Sequence, residues 1–158
     1  MRLKKFAVAA TATALLALSA CGSPAATTTT TAGGGGTSAA SGLKIGMAYD
    51  VGGRGDQSFN DAAAAGLDKA KAEFGLQTKE AAATNGEAAS AREERLQQLI
   101  DAGYTNVVAV GFAYAESVGK VAKANPDVKF AIVDDASPAS TANNIENIVF
   151  AENEGSFL

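Results

Sequence analysis

From residue 43 onward the apolar positions change their period several times. LKIGMAY, residues 43–49, is a short apolar run ending at Asp50 and predicts a strand. From Ser58 the spacing becomes helical, with Phe59, Ala63, Leu67, Ala70 and Phe74 recurring every three or four residues. Ser58 fits the N-cap of this helix, with Asp61 three residues on as its capping-box partner. Gly75 fits the left-handed position just past the helix end. LQTKEAA, residues 76–82, reads as a second, weaker strand. Residues 86–103 predict a second helix, with Ala88, Leu96, Leu99 and Ile100 facing inward and Gly103 at its end. NVVAVGF, residues 106–112, is continuous and β-branched, the pattern of a strand buried on both faces. A third helix covers residues 113–124 and stops at Asn125-Pro126, because proline disfavours helical geometry in the residue before it. VKFAIVDD (128–135) reads as another buried strand, residues 145–151 as a further strand, and ENEGSFL (152–158) as the start of a helix.

The order is β-α-β-α-β-α-β-β. Strands that alternate with helices imply a Rossmann-like, three-layer α/β/α architecture: a mostly parallel sheet covered on both faces, joined by right-handed crossovers. Ligands of such sheets bind outside the carboxyl ends of the strands. Asp50, Gly111-Phe112 and Asp134-Asp135 all stand at such ends, so three segments far apart in sequence are expected to meet at one edge.

The first forty-odd residues do not fit this scheme. Arg2, Lys4 and Lys5 precede an apolar stretch, residues 6–20, that is too short and alanine-rich for a comfortable membrane span. It ends in LSAC, with small residues directly before Cys21. The arrangement resembles a bacterial lipobox: residues 1–20 are then a signal peptide, and Cys21 is the lipid attachment site on the extracytoplasmic face of the cell membrane. Cys21 is the single cysteine, so no intrachain disulfide can form. Residues 21–42 are rich in Thr, Gly, Ser and Ala and nearly free of charge. They bury too little apolar surface to offset their ordering entropy and read as a flexible tether. The folded part is expected over residues 43–158, a length suited to one domain.

Charge and composition narrow the function. All seventeen acidic residues but only ten basic ones follow Cys21, a net charge near −7 for that portion, without a basic patch. This argues against nucleic acid as a partner. The chain has no histidine, so a metal site would need oxygen ligands alone, and no EF-hand spacing occurs. No cofactor, metal or catalytic residue is expected. Without histidine, a free cysteine or a paired acid–base constellation, the chain does not read as an enzyme.

DVGGRGDQSFN, residues 50–60, carries the candidate chemistry. Its glycines have the wrong spacing for either phosphate-binding fingerprint. Asp50 and Asp56 would repel a phosphate from the helix N-terminus that should attract it. Carboxylates suit a neutral ligand that brings its own N–H or O–H donors. Phe59 could stack on a flat ring, and Asn60 offers both donor and acceptor to a base edge. From spacing alone each residue also has a plainer role. Phe59 could staple its helix to the sheet, Asp56 could complement the helix dipole, Asn60 could be solvated, and the glycines could serve only the turn. Asp134-Asp135 could simply mark a strand end. Arg54-Gly55-Asp56 also spells an integrin-binding tripeptide, which by itself is common by chance.

KIGMAYDVGGRGDQSFNDAAAAGLDKA, residues 44–70, resembles the opening strand, loop and helix of the basic membrane lipoprotein family, the PnrA-like purine nucleoside receptors of ABC importers. The shared pattern D-x-G-x-x-x-D-x-S-F-N places Asp50, Gly52, Asp56, Ser58, Phe59 and Asn60 in register. Residues 106–135 are similar to the family's later strand, glycine-aromatic turn, helix and aspartate-ended strand. The resemblance implies a type I periplasmic-binding-protein fold of two lobes closing on a purine nucleoside, and an ABC permease as partner. It implies that Phe59 stacks on the base, that Asp50, Asn60 and Asp134 bind it, and that Gly52, Asp56 and Ser58 shape the loop. By the same resemblance residues 43–158 are expected to correspond to the first lobe only, as a fragment or a truncated product would. A lone lobe is expected to bind nucleosides weakly or not at all; micromolar affinity for guanosine or adenosine in isothermal titration would contradict this. The competing readings are a receptor for a sugar or signalling molecule on the same fold, a truncated surface lipoprotein without function, and an adhesin using the Arg54–Asp56 loop.

Overall fold

The computed structural model describes residues 42–156. The predicted signal peptide, Cys21 and nearly all of the tether lie outside them. Five strands and four helices follow in order: β1 (Lys44–Tyr49), α1 (Phe59–Phe74), β2 (Gln77–Ala82), α2 (Ala89–Asp101), β3 (Asn106–Val110), α3 (Ala115–Ala124), β4 (Lys129–Val133), β5 (Ile145–Ile148) and the short α4 (Glu152–Gly155). Single 3-10 turns occupy Phe112–Tyr114 and Pro138–Ser140. All strand pairs are parallel and the sheet order is β2-β1-β3-β4-β5. β1 lies between β2 and β3, with Met47 flanked by Glu80 and Val108.

The strands alternate their side chains between two cores, as the period of two requires. Ala48, Val107, Ala109, Phe130 and Ile132 meet Leu96 and Leu99 of α2 and Val118 and Ala122 of α3 on one face. Met47, Tyr49 and Val110 meet Ala64 and Leu67 of α1 on the other. β3 thus fills both cores, which explains its unbroken apolar run.

Helix ends follow the expected chemistry with two corrections. Gly75 adopts the left-handed conformation, φ 66°, and its N–H closes α1 on the Lys71 carbonyl. The capping box does not form. Asp61 accepts from the backbone N–H groups of Gly55 and Gln57 rather than from Ser58, and Asp56 takes the Asn60 and Asp61 N–H groups in the first turn. A carboxylate two residues before the cap out-competes the serine for those donors. Ala88 is exposed at the N-cap of α2 rather than inward, because the helix starts one residue later. The buried face of α1 runs through Asn60, Ala64 and Leu67, whereas Phe59 and Phe74 at its ends are about half exposed. Asn144 serves the end of α3 by donating to the carbonyls of Ala122, Asn125 and Val128.

A part-buried ionic cluster fastens α2 to the sheet. Arg95 donates to both Glu87 oxygens at 2.8 and 2.6 Å and to the Tyr114 hydroxyl at 3.1 Å. Tyr114 in turn donates to the Tyr49 carbonyl at 3.0 Å, tying α2, the turn after β3 and β1 together. Arg95 and the Thr84 N–H hold the Glu87 carboxyl at about 2, down from 4.5, against the opposing effect of its burial. Because its folded pKa lies below the unfolded value, the stabilisation is complete above about pH 4.5 and is lost as the pH falls towards about 2. Glu87→Gln is expected to cost about 2 kcal/mol at pH 7 in urea denaturation and to flatten the acid limb of the stability profile.

Gly119 marks the closest approach between elements. A Cβ there would sit 1.8 Å from the Ala139 carbonyl oxygen, so only glycine lets α3 reach the turn at Pro138–Ser140. Gly119→Ala is therefore expected to destabilise by at least about 2 kcal/mol, despite the propensity gain of about 1 kcal/mol that alanine brings to a helix. Gly66→Ala in α1, where a Cβ meets nothing within 4 Å, should instead raise stability by about 0.5–1 kcal/mol.

Candidate functional site

The carboxyl ends of β1, β3 and β4 open on a cavity of about 170 Å³. Its walls are Asp50, Val51, Asp56, Ser58, Phe59 and Asn60 from the first loop and α1, Val110, Gly111 and Phe112 from the end of β3, and Asp134 from the end of β4. It lies where the chain, having stepped from β1 to β2, crosses back to β3 on the other side of β1, the point at which such sheets leave a crevice. The structure thus brings Asp50, Phe59, Asn60 and Asp134 together, with Asp56 and Ser58 beside them.

The loop from 50 to 60 is held by its own side chains. Asn60 is almost fully buried, and its carbonyl oxygen accepts from the Asp50 N–H at 3.1 Å. Both its amide hydrogens are committed, to the carbonyls of Asp50 at 3.3 Å and Val51 at 3.2 Å. Asn60 therefore fixes the exit of β1, and it has no free donor for a base edge, contrary to the sequence expectation; one acceptor lone pair remains. Asp56 accepts from the N–H groups of Ser58, Asn60 and Asp61 and from the Ser58 hydroxyl. Partial desolvation raises the Asp56 carboxyl, but these four bonds together outweigh it and hold it below the usual carboxylate range. Gly52 has φ 101°, and a Cβ there would press to 3.3 Å on the Asp56 Cβ. Gly52, Asp56 and Ser58 are all built into the loop.

Arg54 clamps the loop from outside. Its guanidinium reaches both oxygens of Asp68 on α1, at 2.8 and 2.9 Å, and both of Glu80 on β2, at 2.6 and 3.0 Å. Tyr49 also donates to Glu80, at 2.7 Å. In the Arg54-Gly55-Asp56 tripeptide, then, the guanidinium and the carboxylate are both occupied within the fold.

What remains free faces the cavity. The Asp134 side chain makes no hydrogen bond to the described residues, and Asp134 adopts φ 65°, a left-handed conformation uncommon outside glycine. Such backbone strain gathers at ligand sites. Asp135, its neighbour, is buried and accepts from the Ser137 N–H and from the hydroxyls of Ser137 and Ser140, so it belongs to the β4–β5 connection. Of the pair, Asp134 is the one that reaches the site. Asp50 packs against Gly111, where a Cβ would come within 3.0 Å of the carboxylate, and its buried Oδ1 has no hydrogen-bond partner. Arg92 of α2 stands 3.6 Å from that oxygen. Phe59 and Phe112 are 51% and 68% exposed, so two aromatic faces border the cavity. Phe150, after β5, lies with its ring centroid 5.7 Å from that of Phe59.

Sequence reasoning missed Arg92 as a neighbour of Asp50 and Phe150 as a neighbour of Phe59, and it placed Phe112 at the ligand edge without giving its ring a role. For Arg92 the available signal was its three-residue spacing from Arg95, which puts both on one face of α2 beside Leu96 and Leu99. Among the described residues no group of three or more acidic, histidine or cysteine side chains is placed to hold a metal ion. Among the same described residues no helix is long and apolar enough to cross a membrane.

Comparison with known proteins agrees with this geometry. Residues 43–158 match the Bmp family model, described as ABC transporter substrate-binding protein PnrA-like. An uncharacterized lipoprotein of Pyrococcus abyssi is 35% identical over 119 residues, covering 75% of this chain and 29% of that protein. Basic membrane protein A of Borreliella burgdorferi is 30% identical over 120 residues, covering 73% of this chain and 33% of its own length. Among solved structures, an ABC transporter solute-binding protein of Aeropyrum pernix superposes with a TM-score of 0.63 at 34% identity, over 71% of this chain and 30% of that one. Another from Conexibacter woesei gives 0.57 at 25% identity, over 68% and 35%. The chain thus spans about a third of the length of these relatives. The parallel five-stranded sheet, the loop that frames its cavity and the match across residues 43–158 place the chain in the Bmp family of PnrA-like ABC transporter substrate-binding proteins.

Proposed function

We propose that residues 43–158 form one wall of a purine nucleoside site in a lipid-anchored receptor that delivers its ligand to an ABC permease. The observation that carries this reading is the composition of the cavity: two carboxylates that the loop's own bonding leaves free, Asp50 and Asp134, with two exposed aromatic rings, Phe59 and Phe112, on its walls. Ionised carboxylates only accept hydrogen bonds, so the ligand must supply N–H or O–H donors. Aromatic faces favour a flat partner. A purine nucleoside combines a flat base, exocyclic or ring N–H donors and ribose hydroxyls, without net charge. A monosaccharide has the donors but no flat π-face for both rings.

In the same reading Asp50 and Asp134 hydrogen-bond the ligand, Phe59 stacks on the base, and Asn60 acts chiefly by fixing the β1 exit. Cys21 carries the lipid and residues 21–42 form the tether, which keeps the receptor at the extracytoplasmic face of the cell membrane. The partners are the nucleoside, the permease and the lipid bilayer. No bond is made or broken, and no cofactor is needed.

Shift mapping by nitrogen-15 NMR tests the reading. Millimolar adenosine or guanosine should move the amides of Asp50, Phe59, Gly111 and Asp134, while glucose leaves them in place. Shifts scattered over the surface, or equal for glucose, would contradict it. Phe59→Ala should weaken adenosine binding roughly 2- to 10-fold with little change in stability, the loss of one offset stack. Asn60→Ala should instead lower stability by about 2 kcal/mol, since it leaves the backbone groups it now bonds without partners.

A further inference from the structure

Behind the cavity lies a row of four charges, three of them on α2 or just before it. Glu87 is matched at short range by Arg95, whose guanidinium meets both its oxygens at 2.6 and 2.8 Å. Arg92 has no such match. It stands 3.6 Å from Glu87 Oε1 and 3.6 Å from Asp50 Oδ1, too far for a hydrogen bond to either. Its Nε, on the Glu87 side, and Asp50 Oδ1, which faces its Nη2, are both buried without a hydrogen-bond partner. Its side chain is only 15% exposed, and the guanidinium lies 5.7 Å from the centre of the Tyr114 ring. With Glu87 already satisfied by Arg95, the charge left to balance Arg92 is the cavity carboxylate of Asp50.

We propose that Arg92 is a buried counter-charge that sets the site's preference for uncharged over cationic ligands. This deepens the nucleoside reading and rests on Asp50 facing the ligand. A cavity walled by Asp50 and Asp134 with no cation behind it would attract metal ions and protonated bases. Arg92 cancels the charge of Asp50 from the protein side, facing the buried Oδ1, and leaves Oδ2 to accept from a ligand. Because Arg92 acts through Asp50, it is a positioning and selectivity residue. A purely structural arginine, there only to pack α2 against Tyr114, would alter stability without changing which charges the cavity admits.

The test uses the whole chain with Arg92→Met, Arg92→Gln and Arg92→Lys, each checked for folding by circular dichroism. Two properties are measured by NMR: broadening of the Asp50, Gly111 and Asp134 amides by manganese(II), and the ratio of affinities for adenosine and 1-methyladenosine, which is cationic at neutral pH. In Arg92→Met and Arg92→Gln the broadening should rise at least threefold and the preference for adenosine should fall at least threefold. Arg92→Lys, which restores the charge, should behave like the wild type in both. Having both neutral variants guards against one of them failing to fold. Broadening at these amides unchanged in the folded neutral variants would overturn the proposal, as would Arg92→Lys behaving like Arg92→Met. If the wild type ignores adenosine but manganese responds as expected, the nucleoside reading fails while the counter-charge stands.

Discussion

The site depends on the direction of the strands. All five run parallel, so every carboxyl end emerges on one edge of the sheet, and the backbone of Asp50 and Val51 beyond β1 needs partners from outside the ladder. Around the crevice beside β1 the fold supplies those partners from side chains. Asn60 binds the backbone of Asp50 and Val51, Asp56 and Asp61 gather the N–H groups between Gly55 and Asp61, and Arg54 ties the loop to α1 and β2. Asp50 and Asp134 are left over from this bonding, with the aromatic rings at their sides. The chemistry available to a ligand is what the loop's own requirements do not consume.

This division also explains why a motif of alternating glycines and polar residues is so specific in its order. Three polar residues in DVGGRGDQSFN have separate targets: Arg54 an outer acid pair, Asp56 the helix start, Asn60 the strand exit. A fixed order follows from fixed distances along one tight turn. Membership of the Bmp family rests on the match across residues 43–158, which spans that turn.

Much of the architecture was legible in the sequence, because its physical basis is local. The unbroken apolar run of β3 follows from burial on two faces, the stop at Gly75 from a left-handed conformation that few residues adopt, and the stop at Asn125 from the proline that follows it. Topology placed Asp50 and the pair Asp134-Asp135 at one edge, and the family resemblance singled out Asp134. What stayed hidden was the choice among competing hydrogen-bond partners. Ser58 and Asp61 fit a capping box by spacing, yet Asp56 captured the donors, and Asn60 turned inward to the backbone rather than outward to solvent or ligand. Arg92 was equally hidden: its partner Asp50 is forty-two residues away, and helical spacing shows which face it occupies but not what lies across from it.

The central claim is that this edge of the sheet forms the wall of a cleft for an uncharged, flat, donor-bearing solute. A crystal structure of the chain soaked in adenosine tests it most directly. The account predicts density for the purine against the Phe59 ring, with its N–H or hydroxyl groups within hydrogen-bond reach of Asp50 or Asp134. Adenosine bound elsewhere on the fold, or at this edge with neither carboxylate in contact, would contradict it.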